Sequence, residues 1–170
     1  LRGLSEAIGS WNTIWTARRS SRSVSAPGRE ASWPRMTSLP AVGGSISVTR
    51  ARGIPGERWE TSPWLRGADG QGHPGIQVSI LPQRVLDLVW RDRHAVVHPG
   101  DTFTVDMNLS EENLPAGQLL RAGSAVLRVS DVFNDGCVKW KARYGAPAKE
   151  WITAPGHPPL RLRGVLCSVE

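Results

Sequence analysis

Glycine and proline interrupt this chain too often for long regular elements, with 18 glycines and 13 prolines among 170 residues. Glycine costs about 1 kcal/mol inside a helix and proline about 3, so breakers at this density favour short strands and turns. The runs between them fit that rule. Residues 45–49, 76–81, 102–107, 125–130 and 160–169 each alternate polar and apolar with the period of a half-buried strand. Pro82 stops the second run and can open a helix at its first turn, because Val85, Leu86, Val89 and Trp90 follow at helical spacing. A second short helix is expected over residues 148–153. Residues 61–74 read as a long loop, and residues 94–99 as a strand running into a turn. The expected fold is mainly β with short helices (α+β), and a closed or partly closed barrel is the economical way to hide its edges.

Periodic patterning starts only near residue 45. Residues 1–44 carry arginine, serine and scattered tryptophan without a sustained period, so a poorly ordered leader is expected ahead of one domain over residues 45–170. Arginine and serine with few acids also suggest a mitochondrial presequence, but Pro27, Gly28 and Pro34 break the amphipathic helix such a signal needs. The net charge of +6 is concentrated in the first fifty residues, where seven arginines face only Glu6 and Glu30, while the remainder holds fourteen cations against thirteen acids. That balance argues against a nucleic-acid partner. No apolar run approaches the roughly 18 residues of a membrane span, so no membrane partner is expected either.

Cys137 and Cys167 are the only cysteines, which excludes a disulfide framework and a four-cysteine metal site and points to a reducing, cytoplasmic setting. Cys167 falls in phase with Val165 and Val169 and is expected on the buried face of a closing strand. His94 and His98 are four apart, but with no third ligand evident a metal there is not expected.

Cys137 is the candidate reactive atom, set in the segment DVFNDGCVKWKARY. If residues 137–143 run extended, Cys137, Lys139, Lys141 and Arg143 share one face; if they are helical, Lys141 still follows Cys137 at i+4. Either geometry favours thiolate over thiol, provided Asp135 lies no closer than the lysines. Gly136 removes a side chain from the approach. The same Asn134-Asp135-Gly136 is also a plain turn signature, which leaves an inert thiol beside a turn as the competing reading.

The order of five segments resembles the MOSC domain, named for the C-terminal domain of molybdenum cofactor sulfurases. They are GIPGERW from Gly53, IQVSIL from Ile76, PGDTFTVDMNLSEENLPAGQLLRAG from Pro99, AVLRVSDVFNDGCVKWKARYG from Ala125 and LRLRGVLCSVE at the end. Glu57 stands where the family commonly has aspartate, and Glu112-Asn113 falls later than the family's glycine-glutamate-asparagine. Family members usually continue past the closing strand, so the resemblance implies a MOSC-type β-barrel cut short at its C-terminal edge.

It also implies molybdenum-cofactor-linked sulfur transfer or reduction of N-hydroxylated compounds, with a non-catalytic cofactor-binding or sulfur-carrier module as the alternative. Cys137 would carry sulfur as a persulfide or ligate molybdenum held by its pterin, and Lys139, Lys141, Arg143, Asn134 and Arg58 would bind the anionic cofactor. A sulfur donor or redox partner protein and a small-molecule substrate follow from those activities. Pyridoxal phosphate, attached to the family through a separate domain, is not expected on a chain with no room for that domain.

Overall fold

The computed structural model describes residues 46–96 and 99–170. The expected leader and His98 lie outside the described residues. The elements, in order, are α1 (Arg58–Thr61), β1 (Val78–Pro82), α2 (Gln83–Val89), β2 (Phe103–Val105), β3 (Leu119–Ala122), β4 (Ala125–Val129), α3 (Val138–Tyr144), α4 (Ala146–Thr153) and β5 (Val165–Val169), with 3-10 turns at Pro74–Ile76 and Pro158–Leu160. The protein is therefore mixed α+β, and the longest helix among the described residues has eight residues, in keeping with the breaker density.

One five-stranded sheet runs in the order β2-β1-β5-β4-β3. β1 pairs in parallel with β2, and the three other contacts are antiparallel. A parallel pair needs a crossover, and α2 supplies it between β1 and β2. The sheet curls into a half-barrel. β2 and β3 remain its edges among the described residues, so of the closed and partly closed barrels expected the sheet takes the partly closed form. β5 lies at the centre of the sheet between β1 and β4.

The period of two sorts the strand residues into two cores. Val78 and Ile80 of β1, Leu127 and Val129 of β4, and Val165, Cys167 and Val169 of β5 share one face with Val105, Leu109 and Leu114. Leu81, one position out of phase with Ile80, joins the second core with Val85 and Leu86 of α2, Trp140 of α3 and Ile152 of α4. The helical spacing read after Pro82 is borne out as α2, and the β1, β2 and β4 runs appear slightly shortened.

Three expectations are corrected. Residues 46–49 form no strand; Thr49 makes only a bridge to Gly53, while Val48 packs partly against the core. His94 lies exposed in a turn rather than in a strand. The closing strand begins at Val165, because Leu160 ends a 3-10 turn and residues 161–163 turn again. Gly164, with φ 88°, makes that late start possible: a Cβ there would stand 2.0 Å from the Ile80 carbonyl oxygen.

Candidate functional site

The segment after β4 leaves the sheet centre and delivers Cys137. Ser130 N donates to the Leu166 carbonyl at 2.8 Å, and Ser130 Oγ accepts from Val132 N at 3.1 Å, which turns the chain away from β5. Asn134 Nδ2 donates to the Arg163 carbonyl at 3.2 Å. Asn134 thus ties the cysteine loop to the turn before β5, a structural role beside the expected cofactor contact. Gly136 follows, buried and with φ 73°.

Cys137 is the N-cap of α3, with φ −78° and ψ 177°, and its thiol is exposed. Its carbonyl accepts from Trp140 N at 2.9 Å and Lys141 N at 3.4 Å. The helix overturns the extended reading, in which three cations shared the face of the thiol. Along α3, Lys139 and Arg143 are instead i and i+4 on one side, and Lys141 is the cation i+4 from Cys137. Lys141 and Arg143 occupy the last turn, where cations also complement the helix dipole. The helix forms here because Trp140 and Tyr144, again four apart, turn inward and meet edge to face with centroids 4.7 Å apart.

Lys139 is half-buried, and burial lowers its pKa, followed by the like charges of Arg58 and Arg143; Cys137 acts in the opposite direction. Arg58 from α1 therefore belongs to the electrostatic neighbourhood of α3 although some 80 residues separate them in sequence. Its Nε donates to the Ser62 carbonyl at 3.3 Å and the side chain is exposed. Arg143 Nη1 donates to the Pro99 carbonyl at 2.5 Å, which anchors the end of α3 to the segment before β2. Lys141 is exposed. Of the expected site residues, Arg58, Arg143 and Cys137 all act on the charge of Lys139, Lys141 is left at the solvent edge, and Asn134 has a backbone partner.

Beneath α3 lies a buried pair with no local signature in the sequence. Arg163 Nη1 and Asp101 Oδ1 are 2.8 Å apart, with the Asp101 side chain 2 % exposed and that of Arg163 11 %. Asp101 Oδ2, Arg163 Nε and Tyr144 Oη are buried without hydrogen-bond partners. Asp101 and Arg163 are 62 residues apart, and only the pairing of the segments before β2 and β5 with β1 brings them together.

A small open cleft of about 50 Å³ borders the loop, lined by Ser130, Phe133, Asn134, Glu111 and Arg161 among others, with Cys137 outside it. Among the described residues, no group of three His, Cys, Asp or Glu side chains is placed to hold a metal ion. No helix of the described residues is long and apolar enough to cross a membrane.

No protein-family model and no curated protein matches the chain. A solved structure described as "Crystal structure of an hypothetical protein" is similar to 58 % of this chain at 22 % identity and a TM-score of 0.43. The match covers 47 % of that protein, so this chain spans about half its length.

Proposed function

We propose that the protein is a thiol carrier module of the MOSC type, in which Cys137 accepts and passes on sulfur or adds one sulfur ligand to the molybdenum of an anionic pterin cofactor. The observation that carries this reading is the exposed Cys137 thiol at the start of α3, close enough to Lys139 to act on its charge, as Arg58 and Arg143 also do. In the sulfur step the Cys137 thiolate attacks the terminal sulfur of a donor persulfide. A Cys137 persulfide forms, the donor's sulfur–sulfur bond breaks, and the donor leaves as its thiolate. The cations favour approach of an anionic donor or cofactor phosphate.

Among the described residues Cys137 offers a metal one sulfur donor. A single thiol with no nearby group of three ligand side chains suits a molybdenum that arrives already held by its pterin, and does not suit a bare ion. Such a cofactor would supply redox chemistry, and the chain's part would be one sulfur from Cys137 and charge complementarity from Lys139, Arg143 and Arg58.

A molybdenum-dependent reductase of N-hydroxylated compounds is the second reading, favoured by the same cations. Exposure of the thiol outside the neighbouring cleft favours the carrier. The test is to purify wild type and Cys137→Ser from cells able to make the cofactor, then measure sulfane sulfur, molybdenum and turnover of an N-hydroxylated substrate. The carrier reading expects bound sulfur or molybdenum in wild type, its loss in Cys137→Ser, and no turnover. Equal content in the two proteins would sink both readings.

A further inference from the structure

The loop presenting Cys137 is held from behind by α4. Lys149 Nζ donates to the carbonyl of Asp135 at 3.1 Å and to that of Gly136, and lies 3.9 Å from the Asp135 carboxylate. Two consecutive peptide carbonyls aimed at one ammonium fix both peptide planes, and the second plane ends at the amide of Cys137. The same ammonium answers the charge of Asp135, the acid nearest to the thiol in sequence. Lys149 is 31 % exposed and Asp135 69 %, so the carbonyl contacts, rather than the open ion pair, hold the lysine in place.

We propose that Lys149 is a positioning residue for Cys137: it fixes the backbone of residues 135–137 and offsets Asp135, so that the thiol meets anionic partners in a field set by Lys139, Arg58 and Arg143. This role rests on the reading of Cys137 as the working thiol. With Lys149 neutral, the Asp135 carboxylate would face an approaching anion uncompensated. One unbalanced charge near a screened surface changes the rate for a monoanion by about two- to fivefold.

The experiment compares alkylation of Cys137 in the native full chain by iodoacetamide, which is neutral, and by iodoacetate, which is anionic. Their ratio at one pH cancels the ionisation of the thiol. Lys149→Met should lower the ratio of iodoacetate to iodoacetamide rates about two- to fivefold, Lys149→Arg should retain most of it, and adding Asp135→Asn to Lys149→Met should restore it. Asp135→Asn alone should raise the ratio above wild type. A loop that is merely loosened changes both rates together and leaves the ratio alone.

Amide exchange at residues 136–138 should quicken in Lys149→Met and stay quick when Asp135→Asn is added, because the carbonyl bonds are lost in both. An unchanged ratio in Lys149→Met, or a fall that Asp135→Asn does not reverse, would overturn the charge role. Unchanged exchange would overturn the backbone role. A native Cys137 that reacts with neither reagent would instead overturn the reading of the thiol itself, an outcome separable from the other two.

Discussion

Arg163 lies over the ring of Trp140, its guanidinium carbon 4.6 Å from the centroid, while its Nη1 donates to Asp101 Oδ1 at 2.8 Å. One guanidinium thus joins the helix that follows Cys137 to the turn before the central strand and to the segment entering β2. Position of the site and stability of the sheet depend on the same buried charge pair.

Removing one partner of such a pair leaves the other charge buried and unanswered, which costs about 3–5 kcal/mol. Asp101→Ala should therefore lower the urea midpoint strongly. Arg84→Ala, which breaks the exposed Arg84–Asp106 contact at 2.6 Å, should leave it unchanged within error. Equal effects of the two substitutions would show that the inner pair is solvated.

Tyr144, the only tyrosine, reports on this cluster directly. Burial pushes its pKa up to about 12, with Asp101 adding to the rise and Arg143 and Arg163 opposing it. Burial likewise pushes the Cys167 thiol up to about 12. Both groups keep their protons in the native state after the unfolded chain has begun to release them. Their contribution to stability is whole below the unfolded values, about 10 for tyrosine and 8.5 for cysteine, and is lost as pH rises towards about 12. Phenolate absorbance should rise later in native than in urea-unfolded protein, and Tyr144→Phe should flatten the alkaline fall in stability. Coincident native and unfolded titrations would place the hydroxyl in water.

The two cysteines should separate cleanly on labelling. Cys137 is exposed, whereas Cys167 sits in the centre of β5 with no exposed surface. One thiol should react quickly in the native protein and the second only as the protein unfolds, so that labelling of Cys167 tracks denaturant. Rapid native labelling at Cys167 would mean that β5 opens locally.

Most of the sheet was legible because its signal is local. Period-two alternation marks β1, β4 and β5 and puts Cys167 in phase with Val165 and Val169, on the face that the fold buries. The cysteine segment misled for the opposite reason. Residues 137–143 satisfy both periods, and tertiary contacts choose: Trp140 and Tyr144 share a face in either conformation, but only a helix brings their rings to the 4.7 Å contact they make within one core. Full or partial barrel closure was argued from the cost of free edges, and β2 and β3 are only three and four residues long, which limits that cost without full closure. Asp101, Arg163 and Lys149 escaped notice because their partners lie 62, 62 and 14 or 13 residues away, beyond any periodic pattern.

Gly164 and Gly136 offer a contrast in what a methyl group meets. At Gly164, with φ 88°, the Cβ would stand 2.0 Å from the Ile80 carbonyl oxygen, a backbone atom paired into the sheet that cannot move aside. Gly164→Ala should cost more than about 3 kcal/mol or prevent folding, seen as loss of the cooperative thermal transition. A stable Gly164→Ala would require β5 to shift against β1.

At Gly136, with φ 73°, the obstacle is softer: the Cβ would stand 2.7 Å from Ile152 Cδ1, the far end of a side chain. Left-handed backbone alone costs alanine about 1 kcal/mol or somewhat more, and displacing the Ile152 methyl adds to it, so Gly136→Ala should fold with a loss of about 1–3 kcal/mol. Ile152→Val removes Cδ1 and by itself costs about 0.5–1.5 kcal/mol. If the clash is real, the double variant loses less than the sum of the singles, because the valine has already vacated the space. The backbone strain remains in the double variant, so iodoacetamide labelling of Cys137 should stay altered in it even as the melting temperature partly recovers. Strict additivity of the two stabilities would place the loop clear of Ile152, and the support of the cysteine by α4 would then fall to Lys149 alone.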